Sequence, residues 1–349
     1  MSSREEATRG DPFGAGGGRA RPTIADVEAA AARIARSIAA TPLLHSPWLS
    51  SVSGADVWLK LESVQRTGSF KIRGAANALL RLRELRPEIR TVVTASAGNH
   101  GLAMATAAAD AGFDVRVHLP ETAPAAKRDA LRQLGATLIE APTYDAAETS
   151  AQEDVARSGA VFVSAYSHGD VIAGAGTIAL EMIAVRPGLE VLIAPIGGGG
   201  LLSGAAIVAR ALLPDARVFG AEAAASPVFT AALRAGRPVT VEVGPTVADG
   251  LAGNMEPDSQ TFAIVRDLVD SVVAVPEPEI RAAMRELAVR ERLIVEGAAA
   301  TAIAALAGGY LPVAGRRAGV IVSGRNVDVG DGPVFHSFPQ AGDRLPAAD

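Results

Sequence analysis

The chain has no cysteine, an absence that excludes disulfides, a thiol nucleophile and cysteine-ligated metal together, and that agrees with life in a reducing cytoplasm. It has no excess of positive charge either. With 33 basic against 38 acidic residues the formal net charge is -5, so electrostatics offer no reason to expect nucleic acid or an anionic membrane surface as partner. No apolar run is long enough to span a bilayer. Residues 1–22 are polar, charged and glycine-rich, without the apolar centre of a signal peptide, and read as a disordered leader of a cytoplasmic protein. Two phosphate-binding patterns are missing as well. There is no GxxxxGK[ST] loop, and no GxGxxG followed about twenty residues later by an acid.

What is there suits a large α/β protein. Over 349 residues, 49% of them hydrophobic, the chain can bury the cores of two α/β lobes. Helical and strand patterns alternate almost throughout. Thr23 and Asp26 form a capping-box pattern ahead of an alanine-rich helix over 25–40, stopped before Thr41-Pro42. Strand patterns at 91–94, 115–119 and 137–140 alternate with helices ending at Ala111, over 125–134 and over 145–157. Beyond Ala173 the alternation resumes with a helix at 178–184, a strand at 191–194, a helix at 201–213 and strands at 218–221 and 319–322. Units of this size predict mostly parallel sheets with helices on both faces and a site between two lobes.

The stretch LKLESVQRTGSFKIRGA, residues 59–75, organises the rest. A strand ends at Val57-Trp58-Leu59, and after Gly68 the residues Phe70, Ala75, Ala78 and Leu79 recur at helical spacing, which puts Lys71 in a first helical turn. An ammonium there meets the positive end of the helix dipole, at a cost of about 0.3–1 kcal/mol when exposed. Either Lys71 is a solvated lysine at a helix start, or it is held as an imine to a cofactor aldehyde. PIGGGGLLSG follows the strand at 191–194 and opens a helix, where Gly197, Gly198, Gly199 and Gly200 leave backbone N–H groups free to close on a phosphate or simply make a tight turn. SAGNHG after the strand at 91–94 is a second strand–loop–helix turn suited to a carboxylate.

These motifs, with VEGAAA at Val295 and VSGRNVD at Val322, resemble in kind and order those of the fold-type II pyridoxal-phosphate (PLP) enzymes, specifically the threonine/serine ammonia-lyase and serine racemase family. The resemblance runs from about Thr23 onward. It implies a two-lobed, tryptophan synthase β-like fold, with a small substrate-side domain at 91–167 and a large cofactor-binding domain built from 23–90 and 168–349. It further implies that Lys71 carries PLP, Phe70 packs on its ring, Gly197–Gly200 and Leu201 hold its phosphate, and the Asn99 side chain meets its phenolic oxygen. Ser323 is then the hydroxyl partner of the pyridine nitrogen. The backbone of Ser96, Ala97, Gly98, Asn99 and His100 would take the substrate carboxylate, with His100 itself better read as a packed histidine than as a catalyst. A homodimer or higher homo-oligomer is also implied.

The activity that follows from the resemblance is β-elimination of an L-β-hydroxy amino acid, L-threonine or L-serine by default, to a 2-oxo acid and ammonia. Ala97 stands where racemases of this type carry a serine, and a methyl group cannot return a proton, which favours a lyase. The alternatives are a pathway dehydratase of the hydroxyectoine, 3-hydroxyaspartate or phenylserine type, a serine racemase, and a PLP-binding protein without turnover. Glu222 matches one ligand of the family's divalent-cation site but has no second carboxylate in its turn, so a Mg²⁺ or Ca²⁺ site is not expected, the alternative being a weaker cation site of Glu222 with backbone carbonyls. Arg325 replaces a small residue; it either points to solvent or a neighbouring subunit, or greets a polar β-substituent.

Overall fold

The computed structural model describes residues 21–256 and 259–327; most of the expected leader and the C-terminal 22 residues lie outside them. In chain order the elements are α1 (Ile24–Ile34), β1 (Leu43–His45), α2 (Pro47–Ser53), β2 (Asp56–Leu61), α3 (Lys71–Leu85), β3 (Thr91–Ala95), α4 (Asn99–Ala111), β4 (Asp114–Pro120), α5 (Ala125–Gln133), β5 (Thr137–Ala141), α6 (Tyr144–Ser158) and β6 (Val161–Phe162). There follow α7 (Gly169–Val185), β7 (Val191–Pro195), α8 (Gly200–Leu212), β8 (Arg217–Ala223), α9 (Val228–Ala235), α10 (Gln260–Leu268), β9 (Ser271–Val275), α11 (Glu277–Glu286), α12 (Gly297–Ala307) and β10 (Arg317–Val322).

Two sheets result. A six-stranded sheet has the order β1-β2-β10-β7-β8-β9 and a four-stranded sheet the order β5-β4-β3-β6. Every pairing is parallel except β1 with β2. β7 is buried at all five positions, as expected of a central parallel strand covered on both faces, and this is why it reads as one apolar run. The antiparallel β1 is short and half-exposed, a common way to close a sheet edge.

Helix α3 joins the two sheets. Its residues Ile72, Ala75, Leu79 and Leu82 are buried in one core with Val92, Val115, Val117 and Met104 of the four-stranded side. Its first residue, Lys71, is meanwhile fastened to the six-stranded side: Phe70 N–H donates to the Ser323 carbonyl (2.9 Å), and Ser69 bridges Gly324. The site therefore sits where the sheets face each other, at the C-terminal ends of β3, β7 and β10. That is where parallel α/β sheets leave room for ligands.

The structure departs from the expected elements in two places. α1 stops at Ile34 rather than running to residue 40. The Asp26 carboxylate does accept from the Thr23 N–H and hydroxyl, both at 2.7 Å, but beyond Ile34 the chain bends so that Gln65 Nε2 reaches the Ala39 carbonyl (2.8 Å). α7 begins nine residues before the expected 178. Gly174 and Gly176 interrupt the apolar pattern there because neighbours press close: a Cβ at Gly174 would lie 2.8 Å from the Gly74 Cα of α3, and one at Gly176 would lie 3.1 Å from the Gly204 carbonyl of α8.

Candidate active site

Lys71 is the first residue of α3, with Phe70 as its N-cap and no acid in the first turn. Its Nζ donates to the Ala165 carbonyl at 2.8 Å and lies 5.2 Å from the Phe70 ring centroid. Burial pushes the ammonium down to about 8, against the opposing pull of the Glu296 carboxylate. A lysine so placed is a usable amine near neutral pH, unlike a solvated one.

The turn after β7 is built for close approach. Gly199 has φ +88°, a conformation that penalises any side chain. A Cβ at Gly198 would run into the Tyr166 ring, one at Gly200 would come within 2.8 Å of the Tyr166 carbonyl, and one at Gly197 within 2.8 Å of the Leu251 Cα. Leu201 is buried in the first turn of α8. Gly198 is anchored through its carbonyl, which accepts from Thr261 Oγ1 (2.8 Å). Four residues without side chains, leading into the N-terminus of a 13-residue helix, fit a phosphate monoester.

The second turn follows β3. Ser96 N–H donates to the His118 carbonyl (3.1 Å), and Ser96 Oγ accepts from Gly98 N–H (3.2 Å). Ala97 is half-buried against the core of the four-stranded side. His100 packs into the start of α4, only 2% exposed, with Nε2 3.1 Å from the Val163 carbonyl. Burial and the nearby Lys71 charge push its ring down to about 3, so it stays neutral.

Asn99, the first residue of α4, spans the gap to the other sheet. Its Nδ2 donates to both Glu296 oxygens, at 2.8 and 3.0 Å, and its Oδ1 accepts from Asn326 Nδ2 (2.7 Å). Asn326 N–H donates to the same carboxylate (3.1 Å). Burial pushes the Glu296 carboxyl up to about 7, with the Asn99 bond opposing. Ser323, 2% exposed at the end of β10, completes this wall.

The structure thus brings Lys71, Phe70, the Ser96–His100 turn, Gly197–Leu201 and Ser323 around one cleft. Glu222 is outside it. Its oxygens accept from Phe229 and Thr230 N–H at 2.9 and 2.8 Å, so the carboxylate caps α9, whose Phe229 in turn backs Gly199. Among the described residues no group of three or more His, Asp and Glu side chains is arranged to hold a metal ion. Arg325 is exposed, and its backbone N–H donates to the Gly68 carbonyl (2.8 Å).

Sequence reasoning missed Glu296, Asn326 and Tyr166. The first two stand inside motifs quoted above, and a lone acid before the apolar helix α12 was a usable signal. Tyr166 lies between β6 and α7 with no local pattern to mark it.

A part-buried lysine at a helix start, a side-chain-free anion cradle and a neutral serine beside them define a pyridoxal-phosphate enzyme. The chain belongs to the pyridoxal-phosphate dependent enzyme family, whose sequence profile matches residues 34–324. It is 40% identical over 308 residues to the L-threonine ammonia-lyase of Thermotoga maritima, covering 88% of this chain and 76% of that one. It is 37% identical over 312 residues to the L-threo-3-hydroxyaspartate ammonia-lyase of Saccharomyces cerevisiae, covering 88% and 94%. The solved structure of maize serine racemase superposes with a TM-score of 0.84 at 32% identity, over 89% of this chain and 95% of that one. The fold is accordingly fold-type II and the cofactor is pyridoxal phosphate. Among the described residues no helix is long and apolar enough to cross a membrane.

Proposed function

We propose that this chain is an ammonia-lyase that eliminates the hydroxyl of an L-β-hydroxy amino acid as water and, once a water is taken back, releases ammonia and a 2-oxo acid, with L-threonine and L-serine the reference substrates. The observation that carries the reading is Lys71, an amine with its acidity shifted to about 8 beside two amide-lined turns. Ala97 supports a lyase over a racemase, because its methyl group cannot deliver a proton to the second face of the substrate.

Bound pyridoxal phosphate supplies an electron sink that acidifies the Cα proton of an amino acid joined to it. The backbone of Gly197–Leu201 would hold the phosphate and the Ser96–His100 turn the substrate carboxylate, which would fix the Cα beside Lys71. Lys71 Nζ takes the Cα proton there; an amine near 8 is a strong enough base and still partly neutral at physiological pH. Ser323 offers the ring nitrogen a neutral hydroxyl instead of a carboxylate. A ring so partnered would be a modest electron sink, which favours loss of the β-hydroxyl as water. Glu296 and Asn326 hold the Asn99 side chain, which would meet the cofactor's phenolic oxygen. The enamine released tautomerises and takes up water, so L-threonine yields 2-oxobutanoate and ammonia, and L-serine yields pyruvate and ammonia.

The test is release of 2-oxo acid and ammonia from L-threonine, L-serine, threo-3-hydroxyaspartate and phenylserine, with Lys71→Ala as control. Equal amounts of both products, absent in the control, are expected; enzyme that carries the cofactor but turns over no L-β-hydroxy amino acid, in this panel or among analogues with other β-substituents, overturns the reading.

A further inference from the structure

Beside Lys71 lies a group of side chains that the elimination chemistry does not use. Tyr166 follows Ala165, the residue whose carbonyl receives Lys71 Nζ, and its ring lies against Gly198. Its hydroxyl accepts from Glu256 N–H (2.8 Å), and the Glu256 carboxylate accepts from Ser164 Oγ (2.6 Å). Across the cleft, Tyr144 donates its hydroxyl to the Ala95 carbonyl (3.3 Å), one residue before the Ser96–His100 turn. Glu148 is one helical turn further along α6 on the same face as Tyr144.

These four residues come from three separate segments that flank the two turns, Tyr166 at Gly198 and Tyr144 at Ala95. With a substrate's carboxylate at Ser96–His100 and its Cα at Lys71, the space between the turns is where the rest of the substrate side chain must lie. Besides the Lys71 ammonium, the charged groups named here are carboxylates: burial, together with Glu148, Glu256 and Asp145, pushes the Tyr144 hydroxyl up, and burial with Glu256 and Glu148 pushes up that of Tyr166. Glu148 is half-buried and makes no hydrogen bond or ion pair among the described residues, and burial with the Asp145 charge pushes its carboxyl up. A part-buried carboxylate without a cation is an unmet demand beside the reaction centre.

We propose that this cleft selects a β-hydroxy amino acid bearing an ammonium one carbon beyond the hydroxyl-bearing carbon, received by Glu148 and Glu256 between the rings of Tyr144 and Tyr166. The proposal rests on the ammonia-lyase reading and names its substrate class. The same carboxylates repel a second carboxylate at that position, which disfavours 3-hydroxyaspartate.

Three substrates that differ only at the γ position decide the matter. L-Threonine ends in a methyl, threo-3-hydroxyaspartate in a carboxylate and 2,4-diamino-3-hydroxybutanoate in an aminomethyl group. The diamino compound is expected to show the highest kcat/KM, with Glu148→Gln reducing its advantage over L-threonine roughly tenfold and Glu148→Lys shifting preference toward 3-hydroxyaspartate. A native preference for threonine or 3-hydroxyaspartate, or an unchanged ranking in both variants, overturns it. A second readout needs no turnover: melting of the holoenzyme with L-2,4-diaminobutanoate, L-2-aminobutanoate or L-aspartate. If no hydroxy amino acid reacts, the lyase reading fails. Charge selection still stands if diaminobutanoate raises Tm most and Glu148→Gln removes that rise, and falls if the three ligands act alike.

Discussion

Asn99 and Glu296, 197 residues apart in sequence, share two hydrogen bonds, from Nδ2 to Oε1 at 2.8 Å and to Oε2 at 3.0 Å. The pair ties the start of α4 on one sheet to the start of α12 on the other. Because Glu296 is 6% exposed, its ionised form is costly, and it titrates near 7 in the folded chain against 4.5 for an ordinary glutamate side chain. The folded state therefore holds a proton that the unfolded chain has released. Stability from this group is whole below about pH 4.5 and is lost as the pH rises through about 7. Glu296→Gln cannot ionise, and is expected to gain on the native chain by up to about 3 kcal/mol on going from about pH 5 to about pH 8. Urea unfolding of the two apoproteins at both pH values checks this.

Lys71 makes a complementary prediction. With its ammonium pushed down to about 8, the neutral amine needed for covalent capture of pyridoxal phosphate grows as the pH rises toward about 8 and then levels. An ordinary lysine would keep rising to about 10. Stopped-flow absorbance of apoprotein mixed with pyridoxal phosphate reads the profile, and Lys71→Ala is expected to abolish it. A profile still climbing steeply at about pH 9.5 would show that burial does not act on this amine.

Gly198→Ala is expected to weaken binding of pyridoxal phosphate at least tenfold, or roughly 1.4 kcal/mol. The added methyl group meets the Tyr166 ring, which is held through its hydroxyl by Glu256 N–H. Overpacking of this kind costs about 1–3 kcal/mol in stability. Equilibrium dialysis with pyridoxal phosphate, set beside the variant's own melting curve, separates loss of the cradle from loss of the fold.

Behind the site, Arg73 binds Glu62 through Nε–Oε2 at 2.7 Å and Nη2–Oε1 at 2.8 Å, and reaches Glu181 at 2.7 Å and Thr177 at 3.1 Å. Arg73 and Glu62 are 1% and 0% exposed. Arg73→Met strands the Glu62 charge and is expected to cost about 3–5 kcal/mol, whereas Arg73→Met with Glu62→Leu recovers much of the loss, because a buried ion pair is often worth little more than apolar side chains of equal size. Denaturant midpoints of the two variants test the difference.

The two anion turns were legible because each is a local event, an apolar strand running into glycines and then a helix. β7 with its glycine turn and β3 with SAGNHG needed no distant information. The lysine was legible for the same reason, since the change from strand to helical spacing around Gly68 places Lys71 at a helix start. The partners of those residues were not. Asn99 finds Glu296 and Asn326 only after β10 is laid between β2 and β7, and no spacing in the sequence encodes that encounter. Helix α7 was underestimated because Gly174 and Gly176 are poor helix formers by themselves. They are tolerated where α3 and α8 leave no space for a side chain.

By itself, then, the sequence determined the alternating α/β elements, the candidate lysine and the two strand-to-helix glycine turns, since these depend on propensity, periodicity and glycine stereochemistry over a few residues. The tertiary structure alone decided what surrounds them: that burial brings the Lys71 amine down to about 8, that Glu296 is driven up to about 7, and that the Tyr166 ring lies against Gly198 with its hydroxyl on the Glu256 N–H. The physical reason is that desolvation and Coulomb interaction depend on distance through space and on access of water, and both are set by how the two sheets face each other across α3.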